Sequence, residues 1–284
     1  MTPTVVTTKA ALRAELAAAR SAGRTIGLVP TMGYLHEGHA SLARRARAEN
    51  DLVVLTIFVN PTQFAPTEDL DRYPRDLPRD LVVAETEGVD LVFHPDADEM
   101  YDPEHATWID VEGLADRLCG ASRPGHFRGI ATVVTKLFAL CRPDRAYFGQ
   151  KDAQQAFIVT RMAADLDLGV DIVVCPIVRE ADGLAMSSRN VYLTPEERAQ
   201  APVLSAALRK AETLVAAGER DAAVLVAAVQ ARLAASPLAR VEYVELVAAA
   251  TLAPIARLDG RSLLAVAVWF GRTRLIDNTV FDTG

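Results

Sequence analysis

The stretch that decides the fold runs from Thr25 to His39 and reads TIGLVPTMGYLHEGH. Its opening, Thr25–Pro30, is largely apolar and rich in β-branched residues, and predicts a strand buried on both faces. Behind it come two glycines, Gly33 and Gly38, and two histidines three apart, His36 and His39. The pattern predicts a strand, a turn and the first turn of a helix. Leu52–Val59 (LVVLTIFV) repeats the buried-strand signal, and Asp90–Phe93, Arg145–Phe148 and Val170–Cys175 are shorter versions of it. Helical patterns separate them at Ala40–Glu49, Pro78–Glu87, Ile130–Leu140 and Ala153–Leu166. Buried strands alternating with helices define an α/β fold, a Rossmann-like doubly wound parallel sheet. Such a sheet binds ligands at the carboxyl ends of its strands, where the strand order reverses.

The pattern changes near residue 177. Thr194-Pro195-Glu196-Glu197 is a helix start, with Thr as the cap, Pro at the first helical position and Glu three residues after the cap. Helices are expected over roughly 195–217 and 221–235. Strands are expected at Arg240–Val247, Ser262–Trp269 and Thr273–Asn278, the last two joined by a Gly271-Arg272 turn. Residues 1–177 are thus expected to form the Rossmann-like domain, and 178–284 a smaller α+β C-terminal domain.

Composition narrows the function. Half of the 284 residues are hydrophobic and 24% are charged, which suits a globular core and excludes intrinsic disorder. Thirty Lys+Arg against 37 Asp+Glu leave a net charge of −7, so no broad cationic field exists for a nucleic acid or an anionic membrane. The longest apolar runs, Ala222–Val229 and Leu263–Phe270, fall far short of a membrane span, and the N-terminus lacks a signal-peptide pattern. Cys119, Cys141 and Cys175 match no zinc or disulfide spacing. A cytoplasmic protein with reduced thiols is expected.

Three loops at predicted strand ends carry polar chemistry. His36 and His39 share one side of a first helical turn, where free N–H groups and the helix dipole already favour phosphate. A pair of surface histidines is the bland alternative, and zinc lacks a third ligand nearby. Gly149-Gln150-Lys151-Asp152 places a point charge at another strand-to-helix junction, with Gln155 one helical turn on. Met186-Ser187-Ser188-Arg189 sets two hydroxyls before a guanidinium, a plausible phosphate clasp. Gly120–Gly125 has Walker A glycine spacing, but His126 stands where Lys is needed, and no G-x-G-x-x-G follows a strand. Asp96, Asp98 and Glu99 read as a solvated acidic loop, and Trp108 and Trp269 as packing residues.

The LHEGH segment resembles the HIGH signature, and AMSSRN the KMSKS-type loop, of the class I synthetase and nucleotidyltransferase superfamily. PTMGYLHEGH, FVNPTQF, YPRD, RPGHFRG, YFGQKDAQQ and READGLAMSSRNVYL are similar, in that order, to the pantothenate synthetase (pantoate–β-alanine ligase) family. The resemblance implies an ATP-dependent condensation of pantoate with β-alanine through a pantoyl adenylate, releasing AMP and pyrophosphate. It implies an ATP site lined by Met32, Gly33, Tyr34, Leu35, His36, Glu37, Gly38 and His39, with Gly149, Gln150, Lys151, Asp152, Val178, Met186, Ser187, Ser188 and Arg189. His39 is implied as proton donor, with His36, Lys151 and Arg189 as its catalytic partners on phosphate. Gln63 would bind pantoate and help hold β-alanine, and Gln155 would bind pantoate, with Asn60, Arg123 and Tyr73 in the same crevice. Mg2+ would accompany ATP, with Asp80 as a protein contributor. A homodimer is implied, as is a lid role for the C-terminal domain.

Thr62, Ala65 and Asp76 depart from the family pattern and bear on the conformation of the 62–80 loop. Arg128 is given no role. A plain nucleotidyltransferase shares both signatures but stops at a nucleotide-linked product, and the neutral amides of Gln63 and Gln155 suit a small hydroxy acid better than a phosphorylated acceptor. No basic anticodon-binding domain is evident, which speaks against an aminoacyl-tRNA synthetase. A non-catalytic nucleotide sensor has no need for His36, His39, Lys151 and Arg189 together.

Overall fold

The computed structural model describes residues 2–66 and 68–283. Six strands form one parallel sheet: β1 (Thr4–Val6), β2 (Ile26–Thr31), β3 (Leu52–Ile57), β4 (Leu91–Phe93), β5 (Arg145–Gly149) and β6 (Asp171–Cys175). Their spatial order is β1-β4-β3-β2-β5-β6. After β2 the chain first builds outward through β3 and β4, then returns to add β5 and β6 on the other side. The order therefore reverses between β2 and β5, and a crevice opens there at the carboxyl ends.

Pro30, inside a central strand, is the residue that ordinarily argues against such an assignment. Pairing of β2 with β5 explains it, because it is confined to Gly27 with Arg145 and Leu28 with Ala146. Thr31 turns its own N–H and C=O toward β3, to Thr56 and Phe58. Pro30, one residue back, thus faces the side where pairing with β5 has already ended, and its missing N–H leaves no gap in the ladder. All six residues of β3 are buried, as the apolar run demanded, though the strand ends at Ile57 rather than Val59.

The helices α1 (Lys9–Ser21), α2 (Glu37–Glu49), α3 (Leu77–Thr86), α4 (Ala97–Met100), α5 (Cys119–Ser122), α6 (His126–Cys141) and α7 (Ala153–Asp165) accompany this sheet. Strand β1, only three residues long, and helix α1, whose apolar residues are mostly alanine, were not singled out in the sequence. Helix α6 begins four residues before the expected Ile130, because Gly129 and Arg128 broke the apolar period. Asp76 departs from the family pattern yet caps α3 by accepting from Arg79 N at 3.2 Å, which preserves the helix start.

The remainder contains α8 (Pro195–Gln200), α9 (Val203–Ala216) and α10 (Ala222–Ala234), then an antiparallel meander of β7 (Ala239–Ala248), β8 (Gly260–Phe270) and β9 (Thr273–Thr283). The capping box at Thr194 forms as read, with Glu197 N donating to Thr194 Oγ1 and Thr194 N to Glu197 Oε2. The single helix expected over 195–217 is two, divided at Pro202, whose ring and missing N–H interrupt the backbone ladder. One apolar cluster of this part joins α9 and α10 to the meander through Leu204, Leu208, Leu225, Val266 and Phe270. A second runs across to the parallel sheet, because Val247, Leu252, Leu263 and Ala265 pack in the same core as α6 and α7.

Glu99 in the acidic run accepts from Lys9 N at 2.7 Å, and the described residues contain no cluster of three or more potential metal ligands. Trp269 donates to Glu242 from its place in β8. Trp108 is 37% exposed and is stacked on Tyr101, under the Arg128 guanidinium. Among the described residues no helix is long and apolar enough to cross a membrane.

Candidate active site

A deep cleft lies where the strand order reverses. Of the expected residues, Met32, His36, Gly38, His39, Asn60, Gln63, Tyr73, Gly149, Lys151, Asp152, Gln155, Val178, Met186, Ser187 and Ser188 line it together. Gly33, Tyr34, Leu35, Glu37, Gln150, Arg123, Arg189 and Asp80 lie behind or beside that lining.

The two histidines form the N-terminus of α2. Gly38 N donates to His36 Nδ1 at 3.1 Å, and His36 N donates to His39 Nδ1 at 3.3 Å. Each Nδ1 therefore accepts, which puts the proton of each neutral ring on Nε2. The rings lie 4.1 Å apart and cannot comfortably both be charged. Burial first, then Lys151, brings His36 down to about 4. Burial, helped by His36 and Lys151, holds His39 well below the ordinary imidazole value. At neutral pH both are uncharged donors. Gly38 is required first by this pair, since a Cβ there would stand 2.8 Å from the His36 ring.

Asp80 sets the turn ahead of the histidines. It is 1% exposed, and its two carboxylate oxygens accept from Tyr34 N (2.8 Å) and Leu35 N (2.7 Å). Tyr34 has φ 51° and Gly33 φ 82°, so the turn is left-handed at two successive residues and is held by this carboxylate. Burial raises the Asp80 pKa despite the two amides. The carboxylate does not line the cleft, so the structure gives Asp80 a backbone-holding place rather than the metal-facing one expected. Leu35 is fully buried, Glu37 pairs with Arg44 on the surface, and Arg79 lies over the Tyr34 ring.

The opposite end of the cleft is built on α6. Its Gly129 carbonyl accepts from Asn60 Nδ2 at 3.2 Å, and Asn60 Nδ2 also donates to Gln63 Oε1 at 3.1 Å. Gln63 lies on a 3-10 turn, Pro61–Gln63, seated against α6 so closely that a Cβ on Gly129 would stand 2.5 Å from Thr62 O. Thr62 Oγ1 donates to Asn60 Oδ1, so this departure from the family pattern is absorbed into the same network. His126 completes it. Arg123 donates to its Nε2 (2.7 Å), and its Nδ1–H donates to the Gln63 carbonyl (2.8 Å). Burial, then Arg123, pushes His126 down to about 3. Sequence reasoning gave His126 and Gly129 no role, although both lie within the RPGHFRG motif. Val133, Val134 and Leu137 of α6 and Phe148 of β5 supply an apolar wall that was also not foreseen.

The arginines are engaged differently. Arg189 grips both oxygens of Asp69 at 3.0 Å, and Arg123 both oxygens of Glu68 at 2.6 Å. Burial opposes the Arg189 charge, and Asp69 more than restores it. Tyr73 is buried beneath Arg189, with its pKa raised by burial. Ser188 Oγ donates to Tyr34 O at 3.3 Å, bringing the MSSRN loop onto the turn before His36. Lys151 stands 3.6 Å from Asp152. Gln155 faces the cleft as expected, whereas Gln154 is buried and bonds Cys119 N and the carbonyls of Leu114 and Arg117.

The family model described as pantoate-beta-alanine ligase matches residues 4–280. The chain belongs to the pantoate–β-alanine ligase family. A pantothenate synthetase of Roseiflexus sp. is 61% identical over 278 residues, covering 98% of this chain and 99% of that one. One of Moorella thermoacetica is 58% identical over 275 residues, covering 97% of both. The crystal structure of pantothenate synthetase from Thermus thermophilus superposes with a TM-score of 0.93 at 48% identity, over 97% of this chain and 98% of that one. The Francisella tularensis pantoate-beta-alanine ligase, solved with beta-gamma ATP and beta-alanine, gives 0.81 at 32% identity over 99% of each chain. With these ligases the chain shares its six-stranded parallel sheet and its smaller antiparallel one, and it is itself a ligase of this family.

Proposed function

We propose that this ligase condenses pantoate with β-alanine to give pantothenate, with ATP as co-substrate and pantoyl adenylate as intermediate. One observation carries the reading: two neutral imidazoles present Nε2–H donors at a helix N-terminus, in the same crevice as Gln63 and Gln155. A carboxylate oxygen of pantoate attacks the α-phosphorus of ATP, and the bond to pyrophosphate breaks. The β-alanine nitrogen then attacks the activated carbonyl, the bond to AMP breaks, and the amine sheds a proton. Fixed donors aimed at the growing phosphoryl charge need no reorganisation as it develops. His39 acts through Nε2–H, with His36 beside it. Triphosphate charge would draw both pKa values upward.

Gln63 and Gln155 would hold pantoate, with Asn60 fixing Gln63 and the α6 wall taking the dimethyl end. Met32–His39, Gly149–Asp152, Val178 and Met186–Arg189 would surround the nucleotide, with Gly33, Leu35 and Gln150 contributing backbone shape. Arg123 and Tyr73 would border the amine entry. Magnesium would screen the triphosphate and ride on its oxygens, because both Asp80 oxygens serve Tyr34 and Leu35. On the same reading residues 1–177 and 178–284 act as two domains, the second a lid, in a cytoplasmic homodimer. The test is to incubate the protein with MgATP, pantoate and β-alanine and to follow AMP and pantothenate together. Both products, dependent on both acids, are expected. AMP without pantothenate, or transfer of the nucleotide to a phosphorylated acceptor, contradicts the reading.

A further inference from the structure

Strand β9 of the antiparallel sheet reaches two of the cleft loops through adjacent residues, Asp277 and Asn278. Both are nearly inaccessible, at 2% and 4% exposure, and neither belonged to any motif singled out in the sequence. Asn278 Nδ2 donates to the carbonyls of Gln150 (3.0 Å) and Lys151 (2.9 Å), and its Oδ1 accepts from Gln150 Nε2 at 3.0 Å. One side-chain amide thus spends three hydrogen bonds on two consecutive residues of the lysine loop. Asp277 is gripped by Arg179 through both oxygens, at 2.6 and 3.0 Å, and Arg179 also donates to Gly183 O. Arg179 pairs with Ala185, and Met186 N donates to Val178 O, so this grip holds the hairpin that delivers Met186–Arg189. Asp277 in turn accepts from Asn278 N, which couples the two grips.

We propose that Asp277 and Asn278 are positioning residues for the condensation, and that β9 fixes the separation between Lys151 and the Met186–Arg189 loop. Successive strand residues point to opposite sides, so one strand holds two loops that are 35 positions apart in the chain, Lys151 and Met186. The chemistry selects Asn at 278, because only an amide offers two donors to neighbouring carbonyls and an acceptor to Gln150. A carboxylate there would face both carbonyls with no donor. The cost of a misplaced catalytic group is steep, about a hundredfold for a shift near 1 Å.

The inference rests on the proposed reaction, and the experiment separates the two. Asn278→Ala is measured alone and combined with Lys151→Ala, by AMP release with ATP, pantoate and β-alanine. If Asn278 acts through Lys151, it lowers kcat/KM about 10–100-fold in the native background and less than about threefold once Lys151 is gone. The same factor in both backgrounds overturns the proposal, since general loosening multiplies with any other defect. Asn278→Ser, which keeps one donor, takes its place if the alanine variant does not fold, with an intermediate loss expected. Hydrogen exchange of residues 145–158 provides a readout independent of turnover. Faster exchange in the variant is expected, and an unchanged rate contradicts the tether. A native chain that releases no AMP instead brings down the reaction itself, and the positioning role with it.

Discussion

The floor of the cleft and its rim are held by different chemistry. On the floor, His36, His39, Asn60 and Gln63 are fixed by neutral hydrogen bonds to one another and to backbone, and the neutral His126 ring joins them through the Gln63 carbonyl while accepting from Arg123 of the rim. On the rim, Arg189, Arg123 and Lys151 stand beside Asp69, Glu68 and Asp152. The floor is ready for a developing charge without rearrangement, whereas a rim arginine must give up a carboxylate before it takes a phosphate. Pre-set donors lower a barrier, and exchangeable ion pairs tune binding.

The largest effect should come from the floor. His39→Ala is expected to lower the rate of adenylate formation about 10²–10³-fold, while the ATP dissociation constant changes only a few-fold. Single-turnover kinetics beside calorimetry checks this, and a loss confined to binding would erase the distinction between floor and rim. Gly129→Ala comes next. Its Cβ would stand 2.5 Å from Thr62 O and 2.8 Å from Gln63 N, both backbone atoms that cannot swing aside. The displaced turn should raise KM for pantoate about tenfold, with a stability loss of about 1–3 kcal/mol, read by steady-state kinetics and denaturant unfolding. An unchanged KM would show that Gln63 does not depend on its seat against α6.

The rim should respond more gently and in the opposite sense. Asp69→Asn releases Arg189, so KM for ATP should fall about threefold. A rise would show that Asp69 aims the guanidinium rather than competing for it. The last effect is on stability rather than turnover, through its pH dependence. Unfolded histidine takes a proton near 6.5, whereas folded His126 does so only at about 3. The unfolded state therefore binds more protons between these values, and stability falls as pH drops through that window, by up to about 1.4 kcal/mol per unit for such a group. His126→Gln should flatten the dependence of Tm on pH between 6.5 and 4. An unaltered slope would remove His126 from the neutral floor.

The floor was also the more legible region. The buried strand, the left-handed turn and His36–His39 follow one another in sequence, so periodicity and residue type sufficed to predict their junction. Pro30 was read as the end of that strand, and the divergence of β2 from β5 supplied the reason its missing donor is tolerated. The rim cations were named from the sequence, but the partners of its two arginines were not, because those pairings are long-range. Nothing local links Arg189 to Asp69, Arg123 to Glu68, or Asn278 to Lys151. Asp80 was misplaced for the same reason: an acidic residue near a phosphate site suggests a metal, and only the fold brings Tyr34 and Leu35 N–H against it. The RPGHFRG motif was visible, but its histidine and last glycine gained roles only through contact with Gln63.

The central claim, that the neutral floor builds an adenylate before the amine takes part, is tested most directly by exchange of labelled pyrophosphate into ATP without β-alanine. The account predicts exchange that requires pantoate and that collapses in His39→Ala. No pantoate-dependent exchange, in a preparation that forms pantothenate when all three substrates are present, would contradict it.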